Sequence, residues 1–197
     1  MKIREILLES PQDIGGYNPE ELHDADMNTE LYTQYKMNSR KTLLYSLSDT
    51  SNVYTTANSV FCLDDDFEHV SYEMEFKTKS HAVIGDFVWQ ASVWREGIGS
   101  PKTLPAQVFF DYLLPKYETI ITDSKQSWDG RRFWIDRIRD AFSMGLNVYF
   151  FDFSNSNLVK MDSEQDWNAF HKKNQKLIWG AAPVFQMKRM VISNKEL

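Results

Sequence analysis

The pattern of apolar and polar positions changes twice along the chain. Residues 10–38 are rich in Asp, Glu, Asn and Gly, and their apolar residues are too scattered to show a period. We therefore predict an N-terminal extension over residues 1–38, made of loops and one short helix near Pro19–His23. Residues 39–94 carry β-type patterns, and helix-type periods begin after Gly99.

The first half of the chain predicts a run of strands bounded by Ser, Asn and Asp clusters. In the third of them, apolar residues from Val70 to Phe76 alternate with polar ones that include Glu73 and Glu75. This alternation is typical of a strand with one buried face and one face that is wet or lines a cleft. The predicted strands are Lys41–Leu47, Ser59–Leu63, Glu68–Lys77 and Ala82–Trp94.

The second half predicts helices alternating with strands. Thr103 is predicted to cap a helix that Pro115 ends, and Ser127 to open the strongest amphipathic helix, which ends before Gly145. The other predicted elements are strands at Thr119–Thr122, Asn147–Phe153 and Val184–Ile192 and a helix beginning at Ser163. We predict an α/β (α+β) fold with a mixed, largely antiparallel central sheet, flanking helices and a C-terminal βαβ unit.

Composition narrows the class of protein. Of 197 residues, 42% are hydrophobic and 14% aromatic, which is enough for a real core, so we predict one compact domain with residues 39–197 as its body. No apolar run approaches the ~18 residues of a membrane span, and the N-terminal apolar stretch is too short for a signal peptide. A lone cysteine, Cys62, excludes an internal disulfide. We predict a cytoplasmic protein without membrane association.

Charge disfavours some partners. The net charge of −6 argues against a surface that grips phosphate backbones, so we do not expect a nucleic-acid partner. One predicted helix nevertheless carries Arg131, Arg132, Arg137 and Arg139 among acidic residues. A solvated, salt-bridged face explains most of this cluster, and an anion site or a partner surface is the alternative. The four histidines lack metal-ligand spacing, so no metal site is predicted.

A glycine-containing turn, REGIGS at residues 95–100, separates the predicted strand ending at Trp94 from the next helix. This turn, together with the order of elements over residues 41–192, resembles the GNAT superfamily of acyl-CoA-dependent N-acyltransferases. The resemblance implies a GNAT-like fold, and acetyl-CoA or another acyl-CoA whose pyrophosphate lies on the turn's backbone N–H groups. A plain tight turn is the alternative. The residues implied for cofactor binding are Trp94, Arg95, Gly97, Gly99 and Ser100.

Two positions depart from the family's pattern. Trp94 stands where the family has Arg or Gln before the glycines, and Arg95 comes one place late. The family's general-acid tyrosine lies four residues before a glycine that matches Gly145, and this sequence has Ala141 there. Tyr149 on the next predicted strand is the candidate that replaces this acid.

Several carboxylates are candidates for proton transfer or ligand binding. Glu73, Glu75 and Asp86 lie on the predicted central strands, and we expect an amine substrate to approach Glu75 or Asp86. The alternative is that all three are solvated residues on an exposed face of the sheet. Asp123 and Asp152 lie at the C-terminal ends of predicted parallel strands, the edge where open α/β sheets bind ligands, although Asp123 is also suited to cap the turn into the next helix.

Residues 112–152 are also similar to GNAT-like proteins of bacteriophages. The resemblance therefore implies one of two functions. The first is an N-acyltransferase that moves an acetyl group to an amine. The second is a catalytically degenerate GNAT-like phage protein, a pseudoenzyme that binds a host protein or nucleic acid in the host cytoplasm. In the second case an exposed Trp94 or Trp128 is the expected anchor for the partner.

Overall fold

The computed structural model describes residues 24–95, 101–123, 128–179 and 187–197. Within these ranges it has an α+β fold with one mixed, mostly antiparallel sheet, which confirms the predicted class. The strands are β1 (Thr42–Ser46), β2 (Ser51–Thr55), β3 (Ser59–Asp64), β4 (His69–His81), β5 (Gly85–Arg95), β6 (Thr119–Ile121), β7 (Asn147–Asp152), β8 (Asn157–Met161) and β9 (Lys188–Ser193). The helices are α1 (Ala25–Met37), α2 (residues 104–117, three consecutive helical segments), α3 (Trp128–Ser143) and α4 (Glu164–Trp179).

The strands are ordered β1-β2-β3-β4-β5-β6-β9-β7-β8. β5 and β6 are parallel, with Val88 opposite Ile120 and Trp89 opposite Ile121. β9 pairs antiparallel with both β6 and β7, so those two strands run in the same direction without pairing with each other. Helix α3 therefore connects two strands, β6 and β7, that have β9 between them in the sheet.

The chain divides into two compact units. Of the described residues, the first unit comprises 24–77, 91–95 and 101–104, and it includes α1 and the antiparallel strands β1 to β3. The second comprises 78–90, 105–123, 128–179 and 187–197, and it includes the helices α3 and α4 and the strands β6 to β9. None of the helices in the described ranges is long and apolar enough to span a bilayer.

Helix α1 lies in a region predicted to consist mostly of loops. Asp24 caps it, because its side chain accepts hydrogen bonds from the N–H groups of Asp26 and Met27. Its buried side packs Leu31 against a cluster on β3 and β4. The same side carries a polar residue, Asn28, and this interrupts the apolar period that would have predicted the helix. The short helix predicted near residues 19–23 lies outside the described residues.

Helix α2 does not end at Pro115, contrary to the prediction. The N–H of Leu114 donates to the carbonyl of Phe109, five residues earlier, and the helix has π geometry over Val108–Leu113. Proline lacks an N–H and crowds the carbonyl four residues before it, so a widened turn accommodates Pro115 within the helix. The helix continues to Tyr117, and Glu118 follows in a left-handed conformation with φ of 63°.

The predicted strand boundaries differ from the observed ones in two ways. The predicted strand Ala82–Trp94 begins too early, because β4 runs on to His81 and β5 begins at Gly85, whose φ is 69°. Two strands, β2 and β8, were not predicted. Each has five residues, and polar side chains hide the alternation in both. The helix predicted over Trp134, Ile138 and Ala141 is α3, and all three side chains are buried.

Candidate functional site

A bulge in β4 brings a glutamate onto the face that α1 covers. Tyr72 lies opposite Cys62, but Val70 lies opposite Leu63, so Ser71 is an extra residue in β4. Strict alternation would place Val70 on the opposite face from Glu73. The extra residue places both on the same face, where Val70 packs against α1. Glu73 is therefore covered by a helix rather than solvated.

Glu73 is buried, with 7% of its surface exposed. It lies opposite Phe61 in the β3–β4 ladder. The hydroxyl of Tyr35 on α1 donates a hydrogen bond to Oε1 of Glu73. The Tyr35 ring stacks on Phe61, with ring centroids 4.0 Å apart and an interplanar angle of 6°. The carboxyl group thus lies among aromatic rings with a hydroxyl aimed at it.

This environment changes the acidity of two neighbouring carboxyl groups. Burial raises the pKa of Glu73 to about 7; the Tyr35 hydrogen bond opposes the rise and the charge of Glu75 adds to it. Glu75 is two residues further along the same face and half-buried. Burial also raises its pKa, against the effect of Lys77. Glu73 can therefore take up or release a proton near neutral pH.

Helix α1 is fixed to the sheet on both sides of Tyr35. The side chain of Asn28 donates to the carbonyl of Val70 at 3.1 Å and accepts from the Val70 N–H at 2.7 Å. Asp65, after β3, accepts from the Tyr32 hydroxyl at 2.8 Å and from Lys36 Nζ at 2.6 Å. These contacts hold the helix, and with it the Tyr35 hydroxyl, in place over β4.

The other catalytic candidates have different surroundings. Asp86 is exposed on β5. Tyr149 is buried in the core of the second unit, and its hydroxyl accepts a hydrogen bond from the backbone N–H of Leu197 at 3.0 Å. The structure therefore brings Glu73 and Glu75 together, whereas Asp86 and Tyr149 belong to the other unit.

The residues predicted to bind the cofactor are only partly described. Gly97, Gly99 and Ser100 lie outside the described residues, as does the side chain of Trp94. Arg95 is half-buried at the end of β5. At the start of α2 the N–H of Leu104 donates to the carbonyl of Pro101 at 3.0 Å, and Pro105 has no N–H. Within the described start of this helix, neither of these two positions therefore offers a free N–H to a pyrophosphate.

A second cluster, which the sequence did not predict, surrounds Trp89 in the second unit. Its indole N–H donates to Asp123 Oδ1 at 2.5 Å. The ammonium of Lys79 lies 3.6 Å and the guanidinium carbon of Arg189 lies 5.5 Å from the ring centroid. Arg189 is 3% exposed; burial lowers its pKa to about 10, against the effect of Asp123. The guanidinium thus stays charged at neutral pH.

Two further predicted groups have structural roles. Asp152 is the last residue of β7, which pairs antiparallel with both of its neighbours rather than in parallel as predicted. Its carboxylate accepts hydrogen bonds from the N–H and hydroxyl of Ser154 and from Lys188. Two of the four arginines on α3 form the salt bridges Arg137–Asp140, Arg139–Asp136 and Arg139–Glu164. The salt-bridged character expected for that face is present, but only Arg139 of these two is well exposed, because the Arg137 side chain is mostly buried.

Comparison with known proteins does not assign a family or a function to this site. The sequence matches no protein-family model and no curated protein. Among the described residues, no group of three or more His, Cys, Asp or Glu side chains is placed to hold a metal ion. The pair Glu73 and Glu75 is the candidate site with the clearest chemical capability, because burial raises both pKa values and brings that of Glu73 to about 7.

Proposed function

We propose that this protein is an acyl-CoA-dependent N-acyltransferase in which Glu73 and Glu75 accept the proton of an amine substrate. One observation carries the proposal: two carboxyl groups lie on one face of β4, the first buried beneath α1 and the second half-buried. The resemblance of the REGIGS turn and of the element order to the GNAT superfamily supports an acyl-CoA as the donor.

The acidity of the pair suits an amine substrate. A primary amine with a pKa of about 10 is protonated at neutral pH and becomes nucleophilic when it loses that proton. A general base works best when its own pKa is close to the working pH, and burial places Glu73 there. Alternate residues of a strand are about 7 Å apart and point to the same face, so both carboxyl groups are close enough to act on one amine.

The two glutamates would divide the work. An acyl-CoA would supply the activated thioester. Glu75, which is more exposed, would orient the incoming ammonium group, and Glu73 would accept one of its protons. The neutral nitrogen would then form the C–N bond as the C–S bond of the thioester breaks, and the leaving thiolate would take the second proton from the nitrogen. Tyr149 has no part in this scheme, because its hydroxyl is bound to the N–H of Leu197 within the core.

An acyl-transfer assay tests the proposal. The chain is incubated with acetyl-CoA and a panel of primary amines, and release of the free thiol is measured. We expect Glu73→Gln and Glu75→Gln each to lower kcat/KM about 10²–10⁴-fold, the usual contribution of a positioned base. Glu30→Gln is the matched control, because Glu30 is exposed on α1, and it should keep the full rate.

Two results together would overturn the proposal. They are the absence of thiol release with every amine and the absence of thermal stabilisation by millimolar acetyl-CoA. A ligand present at 100 times its Kd stabilises the folded state by about 2.7 kcal/mol, which a thermal melt resolves.

A second candidate function is favoured by one surface residue. Trp128, the first residue of α3, is 71% exposed, and exposed Trp side chains are common anchors at protein interfaces. This supports the pseudoenzyme alternative, in which the chain binds a host protein. Trp128→Ala should then abolish stoichiometric capture of a single host protein, while Glu73→Gln should leave that capture unchanged. Capture that is insensitive to Trp128→Ala would count against this alternative.

A further inference from the structure

We propose that Tyr35 is a positioning residue for Glu73: its hydroxyl holds the buried carboxylate and favours the ionised form of that group. The catalytic meaning of this inference rests on the proposed function, whereas the contact itself does not. Tyr35 lies on α1, whereas both glutamates lie on β4, and its hydroxyl donates a hydrogen bond to Glu73.

The geometry restricts where the Tyr35 hydroxyl can point. Its ring lies flat on Phe61, and Phe61 is the residue directly opposite Glu73 in the ladder. Moving the hydroxyl oxygen away from the carboxylate would require the ring to leave this stack. The oxygen is therefore held beside Oε1 of Glu73 by packing, and the hydrogen bond then orients its proton towards the carboxylate.

The helix that carries Tyr35 has its own attachments to the sheet. Asn28, Tyr32 and Tyr35 follow one another at spacings of four and three residues, so they lie on one side of α1. Asn28 forms two hydrogen bonds with the backbone of Val70, and Tyr32 donates to Asp65. Because these attachments do not involve Tyr35, the helix should stay in place when the Tyr35 hydroxyl is removed.

Other ionisable groups lie on the same face and must be separated from the effect of Tyr35. Glu75 and Lys77 follow Glu73 at two-residue steps along β4. Tyr54 of β2 lies opposite Phe61, and Lys41 Nζ is 5.6 Å from the Tyr54 ring centroid. The charge of Glu75 disfavours ionisation of Glu73, whereas the Tyr35 hydroxyl favours it by direct donation.

The test is a carbon-detected NMR titration of the Glu73 carboxyl group in the full chain with labelled glutamate, assigned by its loss in Glu73→Gln. Tyr35→Phe removes the hydroxyl and keeps the ring that stacks on Phe61. We expect this variant to raise the titration midpoint by about one pH unit or more, because hydrogen bonds to charged groups contribute ~1.5–3 kcal/mol. The acid limb of the kcat/KM profile should move by the same amount.

Tyr32→Phe is the matched control, because it removes a hydroxyl from the same helix that is bound to Asp65 rather than to Glu73. The Glu73 midpoint should not move in that variant. An unchanged midpoint in Tyr35→Phe, or an equal shift in both variants, would overturn the inference. A shift confined to Tyr35→Phe in a chain that transfers no acyl group would support the positioning role while rejecting the proposed function.

Discussion

Each unit of the molecule buries an ionisable side chain against aromatic rings, and the two side chains have different partners. In the second unit Arg189 lies near an opposite charge, Asp123, and its pKa of about 10 keeps it charged at neutral pH. In the first unit Glu73 accepts a hydrogen bond from a neutral hydroxyl and has a second carboxylate nearby, and its pKa is about 7. An opposite charge favours a fixed structural role, whereas a neutral donor leaves a group that titrates in the physiological range.

The largest effect on stability is expected when the buried positive charge of Arg189 is removed. Arg189→Leu should destabilise the fold by about 3 kcal/mol, because it removes the buried guanidinium packed near Trp89 and its attraction for the half-buried Asp123. Urea denaturation at pH 7 measures this change. Arg132→Leu on the exposed side of α3 is the control and should stay within about 0.5 kcal/mol. Equal stability of the two variants would mean that Arg189 is not the structural charge described above.

The smallest expected effect concerns the exposed carboxylate on β5. Asp86→Asn should change the free energy of unfolding by less than about 0.5 kcal/mol, because the side chain is exposed. It should also leave acyl transfer close to the wild-type rate, in contrast to Glu75→Gln. If Asp86→Asn lost acyl transfer and Glu73→Gln kept it, the general base would lie on β5, and the role assigned to Glu73 would be wrong.

The parts of the fold that the sequence predicted are those with an uninterrupted period. Helix α3 buries Trp134, Ile138 and Ala141 at the spacing that predicted it. Helix α1 was missed because its buried side includes Asn28, a polar residue whose partner, the backbone of Val70, is 42 residues away. The predicted end of α2 was wrong because a π turn accommodates Pro115 within the helix, which continues beyond it.

The sequence predicted which residues form the candidate site, but it did not predict their burial. Period-2 alternation placed Glu73 and Glu75 on one face of a strand, and that grouping is what the structure has. Their burial depends on α1 and on the bulge at Ser71, neither of which the pattern indicated. Tyr35 could have been found from its spacing to Asn28 and Tyr32 along one helix, had the helix itself been predicted.

We predict that the folded protein holds the proton on Glu73 more tightly than the unfolded chain does. The pKa of this group rises from an ordinary value near 4.5 to about 7, so the folded state binds more protons between those two pH values. Stability from this group is therefore fully present below about pH 4.5, falls as the pH rises towards 7, and is constant above that. A shift of this size corresponds to a free-energy change on the order of 3 kcal/mol.

The most direct measurement of this claim is the free energy of unfolding of wild type and Glu73→Gln as a function of pH from 4 to 8. The glutamine keeps the shape of the side chain and cannot ionise. We predict that wild type loses on the order of 3 kcal/mol relative to Glu73→Gln across this range, with the change concentrated between pH 4.5 and 7. Two parallel curves would show that the pKa of Glu73 is not raised in the folded protein, because the group would then titrate as an ordinary solvated carboxyl group.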